Sequence, residues 1–526
     1  MSHEMKPGFL SLPRELQLNI LSFLSCRDIL CCTSVCKVLC QMYMSSSELQ
    51  YIVELSGQWL LHVPNSDNES IPVSKHLQLL RDKAHAWFKV DPNSFKTVSL
   101  PKNMYSDEKF VADGHIYLWD KEEDMAAIVP ILPKPSQKTV KRNWSPGTLF
   151  SVPDSRNLDI FVDPAQNLIA IAYSDNIFDL NYETLCISLR VLDRDGVHPQ
   201  AAGWTLFSSI LLASKDEHFV AESAKLKGFG RHIALRRSFV YPFEEMWQLH
   251  IWDWQHSTTS NSILSDTNYL PNSIDFCFLG NNRLLVVTDE LKLYSIKDMS
   301  QTPQLLACFI MPGLYLNIQC FLLMDHIDSS PQLQAQQAMY TSDPINQLLC
   351  ITTAANRTFV ISTRMFFNLE GIAAAMPVPW ERWGPSNTRV FGLSGESKVH
   401  ISGNRVLQAL SVGTSASGDV EYTLLHILDF SPLAVTNRRG LGRVVKEPST
   451  VSVVDECIGW PPWSLTTSLP YVEVILDRKF GSAESELADV WVNKDRIYLL
   501  STKFDHKVVG SAYYAIEYDE LEVIDV

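Results

Sequence analysis

Cysteine is the first residue type in this chain whose spacing invites a chemical reading. Of 11 cysteines, five (Cys26, Cys31, Cys32, Cys36 and Cys40) crowd into one short segment. On a continuous helix Cys32, Cys36 and Cys40 would share one face at i, i+4 and i+8, a set of thiolates suited to a soft metal. No Cys-x-x-Cys pair and no nearby histidine completes such a site, and free cysteine packs readily as a small hydrophobe. The expectation is therefore no metal and no cofactor. The 14 histidines are scattered, and only His115 beside Asp113 and His250 near Asp253 stand close to a carboxylate. Both pairs fall at strand ends, where a histidine with a structural partner is the default over a general base. The phosphate loop, the His-Glu-x-x-His metal helix, the Gly-x-Ser-x-Gly elbow and the dinucleotide glycine motif all lack their minimal residues. Paired carboxylates of the glycosidase kind would need Asp and Glu residues brought together across a fold, which spacing alone does not do. No catalytic residue is assigned, and the expectation is a protein that is not an enzyme.

The elements that could position other kinds of function come next. The stretch from Leu12 to Leu39 carries Ser11 as a candidate N-cap, Pro13 suited to a first helical turn and Glu15 where the helix dipole favours an anion. Leu16, Ile20, Leu21, Phe23 and Leu24 then form a broad apolar stripe before Arg27 and Asp28 restart the chain into a second helix. Helices this short are marginal alone and need a surface to pack against. The pattern Leu12-Pro13-x-Glu15-Leu16, Ile20-Leu21-x-Phe23-Leu24, Asp28-Ile29, Val35-Cys36-Lys37 and Leu39 resembles the F-box. That resemblance implies docking on the Skp-type adaptor of a cullin-RING (SCF-type) ubiquitin ligase. It implies Leu12, Pro13, Leu16, Ile20, Leu21, Leu24, Ile29, Val35 and Leu39 as adaptor-contact or core residues. An ordinary helical hairpin folded onto the following domain is the alternative.

With 526 residues, 46% hydrophobic and 20% charged, the chain buries a large core and exceeds one ordinary domain. The formal net charge of −15 disfavours nucleic acid and anionic membrane as partners. Two basic clusters (Lys134, Lys138, Lys141, Arg142 and Arg438, Arg439, Arg443, Lys446) read as solvated loops, and Glu517, Asp519, Glu520, Glu522 and Asp525 as an acidic tail. The start has no basic, then apolar, then small-residue signal pattern, and no uncharged apolar run is long enough to span a bilayer. A cytoplasmic or nuclear protein with reduced thiols is expected.

Beyond residue 48 the helical reading continues as a connector over 49–90, with one helix at Leu49 to Leu55 and another opening at Ser74. From about Asp91 the period becomes strand-like. Paired apolar runs recur, among them Leu168–Ile171 with Thr184–Leu192, Ile233–Leu235 with Trp247–Trp252, and Leu284–Val287 with Leu291–Ile296. Leu348–Ile351 with Thr358–Ile361, Val406–Leu410 with Tyr422–Leu428, and Asp489–Val492 with Arg496–Leu500 extend the series, while Gly114–Asp120 reads as a lone second strand. Trp119, Leu192, Trp252, Tyr294, Ile361, Leu428 and Leu499 then mark seven units. Only the step from Trp252 to Tyr294 falls in the ~40 to 45 residues of a WD-repeat blade. The expected architecture is mainly β: F-box helices over 1–48, the connector, and over 91–526 a seven-bladed β-propeller, with a pair of β-sandwiches as the competitor.

Val162–Ser174, Leu189–Ala202, His250–Gln255 and Ile274–Val287 are similar to the fungal F-box family with a WD-like, propeller-like C-terminal region. That likeness implies a receptor for a protein substrate of unknown identity. The segment Gln332–Asp343 reads as a surface insertion, and Trp380, Trp383, Trp460 and Trp463 beside prolines read either as packed anchors or as a peptide platform. The alternatives kept open are a propeller scaffold outside any ligase and, further off, a propeller hydrolase.

Overall fold

The computed structural model describes residues 8–63, 71–91, 94–100, 108–121, 123–133, 139–145, 155–177, 182–210, 221–240, 245–268, 273–322, 324, 340–354, 357–374, 376–392, 398–414, 420–436, 442–453, 463–476, 478–480, 485–509 and 512–526. Five helices open the chain: α1 (Arg14–Ser22), α2 (Cys26–Val35), α3 (Lys37–Ser45), α4 (Ser47–Gly57) and α5 (Val73–Ala86). Their ends follow local chemistry. The Ser25 side chain caps α2 by accepting the Asp28 N–H, and the Ser46 side chain caps α4 by accepting the Leu49 N–H. Two sequence expectations change here. The N-cap position of α1 is Pro13 rather than Ser11, which lies in a preceding 3-10 turn. Cys36 is extended (φ −155°, ψ 160°), so α2 and α3 are separate helices and Cys32, Cys36 and Cys40 do not line one helical face.

Seven antiparallel sheets follow. Blade 1 is built from Glu108–Ala112, His115–Asp120, Met125–Pro130 and Arg142–Trp144, and blade 2 from Ser155–Asp163, Leu168–Ile177, Tyr182–Val191 and Thr205–Ile210. Blade 3 takes Ala221–Phe229, His232–Val240, Glu245–Asp253 and Ser262–Asn268, and blade 4 takes Asp275–Phe278, Arg283–Val287, Glu290–Ser295 and Gln304–Ile310. Blade 5 comprises Gln319–Phe321, Leu348–Thr353, Arg357–Ser362 and Thr388–Gly392. Blade 6 comprises Lys398–Ser402, Arg405–Thr414, Val420–Asp429 and Tyr471–Ile475, with Arg443–Val445 added outside. Blade 7 holds Ser485–Val492, Arg496–Val509 and Ala512–Asp525, and its outer strand is Lys96–Ser99, which pairs antiparallel with Ala512–Asp525. A strand from before blade 1 thus completes the last blade and closes the ring.

Alternation of side chains along each middle strand explains the closure. In blade 1, Ile116 and Leu118 pack with Trp491, Tyr498 and Leu500 of blade 7, while Tyr117 and Trp119 pack with Ile169, Ile171 and Tyr173 of blade 2. The same occurs at every seam, so seven apolar clusters sit between seven blades. Because both faces of a blade are covered, its middle strands read as unbroken apolar runs; all six residues of His115–Asp120 are buried. A pair of sandwiches would give two cores, and the seven clusters exclude it.

The hairpins expected from sequence are present, with one displacement. His115–Asp120 is no lone strand: it pairs with Met125–Pro130, whose Ala-rich sequence hides it. The markers Trp119 and Leu499 therefore sit on second strands of their blades, whereas the other five mark third strands. The acidic C-terminal residues are no solvated tail. They lie on the third strand of blade 7, where Asp519 pairs with Lys109, Glu520 with Lys503, Glu522 with Arg478 and Asp525 with Arg496. Most of the Gln332–Asp343 insertion lies outside the described residues, but Tyr340–Ser342 forms a strand. Lys134, Lys138, Arg438 and Arg439 also lie outside them.

Candidate functional site

The helices form a small core of their own. Leu21, Ile29, Leu39, Met42, Leu49 and Val53 are buried together, with Phe9, Leu18, Leu24, Cys26 and Cys32 packed against them. Gln17 ties down the preceding turn by donating to the Phe9 and Leu12 carbonyls at 3.0 and 2.9 Å. Arg14 reaches the Ser45 hydroxyl, joining the start of α1 to the end of α3. Burial pushes the Cys26 thiol up, as befits a packed cysteine.

Over this core lies an uncovered apolar surface. Leu16, Ile20 and Phe23 follow one another at i, i+4 and i+7 along α1 and stand 50, 43 and 83% exposed. Leu10, Leu30, Val35, Val38 and Met44 are exposed as well. Of twenty large hydrophobic residues exposed in the described structure, eight fall between Leu10 and Met44, so exposed apolar side chains concentrate on this segment.

The nine residues singled out from sequence divide into three groups. Pro13, Leu16, Ile20 and Val35 are exposed; Leu12 and Leu24 are half-buried. Leu21, Ile29 and Leu39 are buried in the helical core, so they support the surface without belonging to it. Leu10, Phe23, Leu30, Val38 and Met44 share this exposure and are not among the nine. Phe23 carried a signal as part of the α1 stripe; Leu10, Val38 and Met44 sit near helix ends, where periodicity is silent, and Leu30 lies within α2.

The helices are fixed to one face of the ring. Leu60–His62 pairs with Tyr340–Ser342, which lies between the first two strands of blade 5, and the Asp343 N–H donates to the Trp59 carbonyl at 2.8 Å. Lys83 of α5 pairs with Asp495 in the first turn of blade 7, and Trp87 is buried in the core between blades 6 and 7 beneath the Arg405 guanidinium. Gly57 lies so close to Leu433 that an added Cβ would meet its Cβ at 3.0 Å. The expected connector over 49–90 is thus divided: α4 completes the helical core and α5 belongs to the joint.

The candidate chemical residues have structural partners. His115 Nδ1 bonds to the Asp113 carbonyl and its Nε2 accepts the Val140 N–H. His250 Nδ1 meets the Ser208 hydroxyl at 2.8 Å, while Asp253 pairs with His256 and Arg231 instead. Trp380 and Trp383 are buried against each other, with ring centroids 4.8 Å apart, on a short helix (Trp380–Asn387) that leads into the last strand of blade 5; Trp460 lies outside the described residues. Among the described residues no His, Cys, Asp or Glu cluster could hold a metal, and no helix is long and apolar enough to cross a membrane.

Residues 9–49 match the F-box-like family model. The segment holding the exposed surface is an F-box-like domain, and the ring that follows is a seven-bladed β-propeller. No match was found among curated proteins. Among solved structures, the chain is similar to the WD40 domain of Toxoplasma gondii coronin, at 8% identity over 82% of this chain and 86% of that one, with a TM-score of 0.36. It is also similar to the C-terminal WD40 domain of Sif2 (11% identity, 60% and 96% covered, TM-score 0.24). A third is the β-propeller domain of the Trilobed protease from Pyrococcus furiosus (10% identity, 69% and 97% covered, TM-score 0.24).

Proposed function

We propose that this chain is the substrate-recognition subunit of an SCF-type ubiquitin ligase. The F-box-like domain docks on a Skp-type adaptor, and through it a cullin, while the propeller holds a protein substrate. The observation that carries the reading is the bare apolar surface of Leu16, Ile20 and Phe23 over a complete core in a segment that matches the F-box-like model. The helices occupy the ring face made by the first turns of blades 5, 6 and 7, which leaves the opposite face for the substrate. The chain makes and breaks no covalent bond in this scheme. It raises the effective concentration of the substrate at the ubiquitin donor and converts an encounter into an intramolecular event. The setting is the cytosol or nucleus, where the free cysteines stay reduced.

Co-expression of the full chain with a Skp-type adaptor tests this. A complex that co-elutes in gel filtration, and is lost in the double variant Leu16→Asp, Ile20→Asp while the chain itself still elutes as a folded species, supports the reading. Absence of any complex with the unaltered chain overturns it and favours the scaffold alternative.

A further inference from the structure

Two carboxylates hold equivalent places on inner strands of the ring but keep different company. Asp159 sits at an irregular step in the register of blade 2; its Oδ1 accepts the Ile160 N–H at 2.8 Å and its Oδ2 accepts the Leu226 N–H of the inner strand of blade 3. Asp275 begins the inner strand of blade 4; its Oδ1 accepts the Phe276 N–H at 2.8 Å and its Oδ2 accepts the Cys320 N–H of blade 5 at 2.6 Å. Each carboxylate stitches its blade to the next. Both are buried.

Asp275 is held by two ammonium groups, Lys225 at 3.2 Å and Lys227 at 2.9 Å, and Lys227 also donates to the carbonyls of Phe276 and Cys320. The charged groups facing Asp159 are Glu108 from the inner strand of blade 1 and Lys225 from that of blade 3, and Lys225 bonds to Asp275. We propose that the seam between blades 2 and 3 is a proton-operated latch, in which uptake of a proton by the Asp159 carboxyl releases the Leu226 N–H while the Asp275 stitch stays closed. A carboxylate accepts two backbone N–H groups, whereas a carboxyl group that carries a proton gives up one of those acceptor sites. Burial, then Glu108, pushes Asp159 up to about 7 despite its backbone bonds. Burial alone would raise Asp275 too, but Lys227 and Lys225 outweigh it and bring that group down to about 2. One carboxyl is therefore held well above the usual carboxylate range and the other below it.

Hydrogen exchange of the Leu226 and Cys320 amides in the full chain between pH 8 and pH 5, corrected for intrinsic exchange, tests the latch. Protection of Leu226 is expected to fall below neutral pH by up to roughly tenfold per pH unit, with Cys320 unchanged. Glu108→Gln should move the fall to lower pH, and Asp159→Asn should leave Leu226 weakly protected at every pH. Parallel behaviour of the two amides, or a fall that persists in Asp159→Asn, overturns the proposal. Should Asp159→Asn not fold, the unaltered chain and Glu108→Gln decide it alone.

Discussion

At the scale of single residues, neighbours in the F-box-like domain have opposite duties. Leu21 is 3% exposed in the helical core, and Ile20 beside it is 43% exposed on the surface. Leu21→Ala should lower stability by about 2 to 5 kcal/mol, because a buried leucine leaves a cavity. Ile20→Ala should leave the denaturation midpoint within error and, under the proposed function, weaken adaptor binding by about 2 kcal/mol if it is a central anchor. The sequence showed that both are apolar but not which faces outward, since the α1 stripe is too broad to have one side. It also placed Cys32, Cys36 and Cys40 on one helix, because nothing in Val35-Cys36-Lys37 announces the extended backbone at Cys36. Histidines give a second test. Burial depresses His232, His250 and His400, each to about 4. Between about pH 6.5 and 4 the unfolded chain binds these protons and the folded chain does not, so stability falls as pH falls. Asp159, raised in the folded state, opposes them by one proton. The three histidines outnumber it, so a fall in the urea midpoint is expected between pH 6 and 5. A flat or rising midpoint would refute it.

Elements were legible where a pattern was long and local. The six paired apolar runs all appear as hairpins because a strand covered on both sides keeps an apolar sequence that turn residues punctuate. Met125–Pro130 escaped because alanines carry little β signal, and Lys96–Ser99 because its partner lies at the other end of the chain. Close approach between elements is likewise invisible in one sequence. Gly228 on the inner strand of blade 3 meets the Phe161 ring of blade 2, and an added Cβ would lie 2.4 Å from that ring. Gly228→Ala should therefore cost about 1 to 3 kcal/mol in thermal or denaturant unfolding. Ser25→Ala removes the cap of α2 and should cost about 1 kcal/mol.

The whole molecule is a ring closed by one strand, with a helical domain fixed to one of its faces. Lys96–Ser99 is the only described strand that completes blade 7 on its outer side, so a chain starting at residue 101 should melt well below one starting at residue 90 and should associate through the bared edge. Equal melting points and a monomeric shorter chain would contradict that closure. The seven units were countable in the sequence, yet their uneven spacing concealed the insertions: the hairpin Ser449–Val453 with Trp463–Thr467 leaves blade 6 and packs against blade 5. The F-box-like segment was legible as a resemblance, and the exposure of its apolar side chains needed the fold. Calorimetric titration of the full chain with a purified Skp-type adaptor tests the central claim most directly. A saturable 1:1 complex is expected for the unaltered chain, with binding lost in Leu16→Asp, Ile20→Asp at an unchanged melting temperature. Equal affinity for the unaltered chain and that variant, or no heat of binding for either, would contradict it.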